Sequence, residues 1–206
     1  MITEADARAL DYGSTVVLVA GGHVTPLALD TLRARRITVV RDGADPDAAD
    51  LAPASAIRTV AIAGDHTALA LKSAIVRHLR GKGLAAHDLG TNGTDPVDYP
   101  DTAAAAAMAV ARGEADAAIV IDSAGLGSTI AANKVPGARA AMCSNTTLAR
   151  YAREHNGANV VALGSTLVST DEAIAIVDTF LGTPMREARY IRRLAKIRDL
   201  ERHPRR

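Results

Sequence analysis

From Ile57 onward the chain alternates short apolar runs with longer amphipathic stretches. RTVAIAGD, 58–65, reads as a buried strand, and TALALKSAIVRHLRGKG, 67–83, as a helix closed by Gly81 and Gly83. LAAHDLG follows as a second strand, then an alanine-rich helix, PDTAAAAAMAVARGE, with Gly113 at its end. ADAAIVID is a third strand. ARAAMCS and ANVVALGS are a fourth and a fifth, separated by the helix NTTLARYAREHN. TDEAIAIVDTFLG predicts another helix, and PMREARYIRRLAKIRDLERH a long charged one at the C-terminus. Strands alternating with helices at this spacing predict a Rossmann-like three-layer α/β/α domain over 57–206, with a five-stranded parallel sheet. Right-handed crossovers put every strand's C-terminal end on one edge, where Asp65, Asp122 and Ser144 all fall.

The first forty residues follow another pattern. STVVLVAGG, VTPLALDTLRARR and ITVV amount to one small βαβ unit, with Pro26 near the first turn of its helix. Residues 41–56 are rich in Asp, Ala and Pro, lack periodicity and read as a linker.

Composition narrows the function classes. The chain has 206 residues, 48% of them hydrophobic, which suits a folded domain with an appendage. No apolar run is long enough to cross a membrane, and the N-terminus MITEADARAL lacks the basic start of an export signal. Cys143 is the only cysteine, so no internal disulfide forms and a reducing, cytoplasmic compartment fits. A net charge of +1 and only four Tyr and one Phe argue against nucleic acid as a partner. His23, His78, His87 and His203 show no ligand-like spacing, so no metal site is expected.

The most informative segment is AAIVIDSAGLGSTIAANKVPG, 117–137. A buried strand ends on Asp122, and Ser123, Gly125, Leu126, Gly127 and Ser128 lead into a helix. Such a turn aims backbone N–H groups at an anion. A carboxylate beside them could move a proton while the amides hold developing charge. Gly64-Asp65-His66 allows two readings, hydrogen bonds to substrate hydroxyls or a plain helix N-cap. Asp98-Tyr99-Pro100-Asp101 alone is a turn and a cap. His155, with Asn156, is either a proton donor and acceptor or a partner of the helix dipole. Arg189 and Arg193 share a helical face with Arg186 and Arg192 close by. They form a phosphate clamp or a solvated basic face.

Together these segments resemble the sugar-phosphate isomerase family of type B ribose-5-phosphate isomerase and the galactose-6-phosphate isomerase subunits. The resemblance rests on GDH at 64–66, the helix with Lys72, DLGT at 88–91, DYPD at 98–101, GEAD at 113–116, GLGSTIAANKVPGARAAMCS at 125–144, AREHNGANVVALGS at 152–165, and the RxxxR of Arg189 and Arg193. It implies aldose–ketose isomerisation of a sugar phosphate, of the ribose 5-phosphate type of the pentose phosphate pathway, through a cis-enediol and without a cofactor. Asp65 and Tyr99 would lie against the sugar. His155 would assist ring opening, and Asn156 would hold a substrate oxygen. Arg189, Arg193 and His66 would grip the phosphate, and the backbone of Gly125 to Ser128 would stabilise the enediolate. The resemblance also implies a homodimer, or a dimer of dimers, with sites shared between subunits.

Six positions depart from the family pattern, Ser123 in place of a Gly among them. Asp122 stands where many members have the Cys that moves the proton, and is expected to replace it as the base. Ala124 replaces a Thr that assists the enediolate, and Ser128 lies where other members carry a Glu. Thr166 replaces an Arg, and Tyr190 a His. These changes leave a second reading, a non-catalytic or altered-substrate subunit that binds phosphosugars. The N-terminal forty residues resemble the opening of microcompartment-associated proteins such as the ethanolamine-pathway cobalamin adenosyltransferase. That implies docking to a bacterial microcompartment's shell or cargo, or dimer building. The alternative is an ordinary βαβ cover.

Overall fold

The structure, a computed structural model, describes residues 1–18, 22–41, 51–54, 56–185 and 188–202, with the side chains of Val17, Val40, Arg41, Ala188 and Arg189 outside the description. The chain divides into two compact units, Met1–Ala49 and Asp50–Arg206. Most of the predicted linker, 42–50 and 55, lies outside the described residues.

In the first unit, helix α1 (Glu4–Ala9) begins at a capping box. There the Thr3 hydroxyl accepts from the Asp6 amide at 3.4 Å, and the Thr3 amide donates to the Asp6 carboxylate at 2.8 Å. Strand β1 (Thr15–Leu18), helix α2 (Pro26–Ala34) and strand β2 (Thr38–Arg41) complete the unit, and the two strands pair in parallel. Pro26 sits at the first turn of α2, as its missing N–H predicts. Ile2, Ala7, Leu18, Ala28, Leu32 and Ile37 form its core.

The second unit is the predicted α/β/α domain. Strands β3 (Thr59–Gly64), β4 (Ala85–Asp88), β5 (Ala117–Asp122), β6 (Ala140–Met142) and β7 (Val160–Gly164) form one parallel sheet in the order β4-β3-β5-β7-β6. Helices α3 (Leu69–Gly81), α4 (Tyr99–Ala111), α5 (Leu126–Ala132), α6 (Thr146–Glu154), α7 (Thr170–Gly182) and α8 (Ala188–Arg202) complete it.

The two faces of the sheet differ because side chains alternate along each strand. Val60, Ile62, Ile119, Ile121, Val161 and Leu163 point one way, into a core with the apolar residues of α3, α6 and α7. Ala61, Ala63, Ala118, Val120, Val160 and Ala162 point the other way. On that small-residue face, Ala103, Ala106 and Ala107 bring the backbone of α4 close. The shortage of aromatic residues is thus matched by short-range packing of alanine on alanine.

Two arginines hold the described part of the linker to this unit. Arg153, 1% exposed, donates to the Ala158 carbonyl at 2.9 Å and the Ala54 carbonyl at 2.8 Å, with its guanidinium over the Phe180 ring. Arg139 donates to the carbonyls of Gly157 (2.8 Å) and Leu51 (2.9 Å). Burial, and then the neighbouring Arg139 charge, pull the Arg153 pKa down to about 10. The group stays cationic at neutral pH. Its partners here are neutral carbonyls, which is a costly arrangement unless every bond is kept.

Candidate active site

The C-terminal edge of the sheet brings together Asp65, His66, Tyr99 and the loop from Asp122 to Ser128. Gly64 of β3 pairs with Ile121 of β5, so Asp65 and Asp122 leave neighbouring strands side by side. The Asp65 amide donates to the Ile121 carbonyl at 3.1 Å and fixes that spacing.

Asp122 is 5% exposed, and its carboxylate turns back onto its own loop. Oδ1 accepts from the amides of Ala124 (2.8 Å) and Gly125, and Oδ2 accepts from the amide of Ser128 at 2.8 Å. Gly125 makes this turn with φ of +75°, a left-handed conformation that glycine enters freely. Burial by itself would raise the Asp122 pKa. The Ser128 hydroxyl and the amides of Ser128, Gly125 and Ala124 outweigh burial and hold the carboxyl below the ordinary aspartate range. The Ser128 hydroxyl forms no hydrogen bond of good geometry, so we read its part in that shift as the pull of a nearby dipole.

The sequence predicts a carboxylate beside a cradle of amides, and both are present. In the structure, two of the amides expected to receive a substrate's charge, those of Gly125 and Ser128, donate to the carboxylate of Asp122 instead, as does the amide of Ala124. The reason is chain geometry. An acid two, three and six residues before those amides can fold back onto them, as an N-cap does. The N–H groups of Leu126 and Gly127, in the first turn of α5, have no partner within the helix.

This arrangement predicts a pH signature. Asp122→Ala is expected to cost about 1–2 kcal/mol of stability at pH 7. The folded-state pKa of Asp122 is depressed, so its contribution is complete above the unfolded carboxylate value and is lost as pH falls through the folded one. Urea titrations at pH 7 and below pH 4 should show the gap between wild type and variant closing. A gap that is constant with pH contradicts the ionised cap.

The surrounding loops are tied to this turn. Thr166 donates from its amide and its hydroxyl to the Ser123 carbonyl, at 3.0 and 2.7 Å. The Ser165 amide donates to the Asp122 carbonyl at 2.8 Å. Thr166, which stands where the family pattern has an Arg, therefore braces the loop. Tyr99 opens α4 with its ring against Gly127. A methyl group added there would lie 2.5 Å from the Tyr99 ring carbons Cε2 and Cζ. Asp65 caps the turn at His66–Ala68, with Oδ1 accepting from the amide and hydroxyl of Thr67 at 2.9 and 2.6 Å. His66 accepts the Val97 amide at Nδ1 (3.3 Å), which in a neutral ring leaves the proton on Nε2.

Lys72 acts from beneath. It is 1% exposed, pairs with Asp88 and donates to the Asn92 side-chain oxygen at 2.9 Å. Those bonds fix the exit of β4, whose Gly90 carbonyl accepts from the Gly64 amide at 2.9 Å. Thr67, Asp88, Asn92 and Val97 are supporting residues that sequence reasoning missed. Only the Asp-x-Thr spacing of 65–67 carried a readable signal.

The remaining predicted residues gather at the other edge of the sheet. His155 ends α6 just before β7 begins, so the length of that five-residue strand, roughly 16 Å, separates it from the Asp122 edge. Its ring stacks on Tyr151 at 4.6 Å and packs on Tyr190 at 4.9 Å. The Arg193 guanidinium lies 5.6 Å from the Tyr190 ring centre, and Asn156 is exposed next to His155. Arg189 occupies the first turn of α8, with its side chain outside the described residues, as is all of Arg186. On a single chain the predicted site residues therefore fall into two separate groups. Cys143 belongs to neither. Burial pushes its thiol up to about 12, so it is no substitute for a reactive cysteine. Among the described residues no cluster could hold a metal ion.

Known proteins are similar to this chain over the second unit. The family described as Ribose/Galactose Isomerase matches residues 60–197. Ribose-5-phosphate isomerase B of Escherichia coli is 40% identical over 145 residues, which cover 70% of this chain and 97% of that protein. The solved structure of the Clostridium thermocellum ribose-5-phosphate isomerase B is 46% identical with a TM-score of 0.69, covering 70% of this chain and 97% of that one. The Mycoplasma genitalium ribose-5-phosphate isomerase B, solved with bound ribulose-5-phosphate, is 41% identical with a TM-score of 0.68, again over 70% and 97%.

Proposed function

Since the chain belongs to the ribose/galactose isomerase family, we propose that it interconverts an aldose and a ketose phosphate of the ribose 5-phosphate type through a cis-enediol. The observation that supports this reading best is the convergence of Asp65, Asp122 and the Tyr99 ring on the glycine loop. One of the two carboxylates moves the proton between C1 and C2, and the free amides of Leu126 and Gly127 face the developing enediolate.

The site is completed by a second copy. One copy supplies the Asp65–Asp122 edge, and the other supplies His155 for ring opening, Asn156 for a substrate oxygen, and Arg189 and Arg193 for the phosphate. Leu126, Ile130 and Leu167 are exposed large apolar side chains on and beside the loop helix. A partner surface would take them out of water. The N-terminal unit, outside the residues the family matches, takes the docking role its own sequence resemblance implies, at a microcompartment or another protein.

A second reading is phosphosugar binding without turnover. It is favoured by the commitment of Asp122 to three amides of the loop. Assays on ribose 5-phosphate, a tetrose phosphate and a hexose 6-phosphate separate the two. Ketose formation from any of them supports the isomerase, and retained binding with no turnover supports the second reading.

Mixing tests the shared site. His66→Ala and His155→Ala disable different halves, so each alone is expected to be nearly inactive. Random reassortment into dimers should restore about a quarter of wild-type activity, because half of the dimers then carry one intact site. No recovery on mixing contradicts sharing.

A further inference from the structure

We propose that Asp65, and not Asp122, is the carboxylate that carries the proton between C1 and C2. This rests on the isomerase reading above and names the base within it.

The two acids differ in what their oxygens already do. Both oxygens of Asp122 accept backbone N–H groups, three in all. Taking a proton there means weakening bonds that hold the glycine loop in shape. The bonds to Asp65 both fall on Oδ1 and come from one residue, Thr67. Oδ2 of Asp65 accepts from no described residue, so its lone pairs remain for a proton. Asp65 is only 6% exposed, and Oδ2 is not among the wholly buried polar atoms without a partner, so a ligand can still reach it. Thr67 holds the carboxylate in one orientation, as a proton-transfer group requires. The depressed pKa of Asp122 agrees with this division, since it makes that carboxylate a weaker base than an ordinary aspartate.

The step balances without a co-reactant. In the open-chain aldose, Asp65 Oδ2 takes the proton from C2. The C2–H electron pair becomes the C1=C2 double bond, and the C1 carbonyl pair moves to O1, which takes a proton from water. The enediol then returns the proton on O2 to that water. Its pair re-forms a carbonyl at C2, and Asp65 returns its proton to C1. Asp122 keeps its charge throughout and acts as a positioning residue for the loop.

The test is isotope exchange at C2 of ribose 5-phosphate in heavy water, followed by NMR, with binding measured by calorimetry. Asp65→Asn is expected to lose exchange by about 10²–10⁴-fold while still binding the sugar. Asp122→Asn keeps an amide oxygen to accept from the loop and is expected to stay within about tenfold of wild type. The proposal holds if Asp65→Asn loses at least about ten times more than Asp122→Asn. A smaller gap, or the reverse order, overturns it and returns the base to Asp122. Should Asp65→Asn not fold, Asp65→Ser, which keeps an acceptor for Thr67, takes its place under the same criterion. Absence of exchange in the wild type on all three sugar phosphates sinks the isomerase reading itself, an outcome distinct from either order of the variants.

Discussion

Gly125→Ala is expected to lose about 2–5 kcal/mol of stability, and with it the geometry of the strand-end loop. Two costs combine. The residue adopts φ of +75°, which a side chain resists by about 1–3 kcal/mol. Its new methyl group would also lie 2.9 Å from the Leu163 carbonyl carbon and 3.0 Å from the Gly164 nitrogen. Both neighbours are backbone atoms of the buried strand β7 and cannot swing aside as a flexible side chain could. Relief must come from moving the loop, which breaks the bond from the Gly125 amide to Asp122. Chemical denaturation should show the loss. A variant as stable as wild type would mean that the turn is not left-handed at this residue.

Lys72→Met should be the next most damaging change, at about 2–3 kcal/mol. The substitution keeps the apolar stem and removes the charge beneath the β4 exit. Breaking a fully buried pair typically costs about 3–5 kcal/mol. Here Asp88 keeps 27% of its side-chain surface and can rehydrate, which lowers the figure. The loop from Asp88 to Asn92 should loosen, and with it the bracing of Gly64 beside Asp65. A double change, Lys72→Met with Asp88→Asn, should recover part of the loss, because the orphaned carboxylate is gone. Additive losses in urea titrations would show that the two side chains do not act as a pair.

The sequence made the large elements readable because each carries its own signal. The short apolar runs of strands such as VAIAG and the glycine closing α3 are local properties, and the sheet's polarity follows from the spacing of its crossovers. The convergence of Asp65 and Asp122 was legible for the same reason, since strand ends share an edge. The hydrogen-bond partners of Asp122 were not. Whether an acid at a strand end faces a ligand or its own loop depends on a few backbone angles around Gly125, which residue type alone leaves open. The pairing of Lys72 with Asp88 joins residues from two elements whose contact exists only once the sheet is assembled. The distance of His155 from Asp122 follows from topology, because a helix between two parallel strands ends at the edge where the next one starts. The stacking of His155 between Tyr151 and Tyr190 does not, because it needs a helix from the far end of the chain.

The anchoring of residues 51–54 has a practical side. Relatives that match only the second unit invite an experiment in which the chain is shortened to their length. A protein begun at Ile57 would lack the main-chain oxygens of Leu51 and Ala54 that Arg139 and Arg153 grip. One of those cations is 1% exposed, lies over a phenylalanine ring and would lose one of its two carbonyl acceptors. Trimming for comparison should therefore start no later than Leu51, or any loss of activity will report a stranded charge instead of the role of the N-terminal unit.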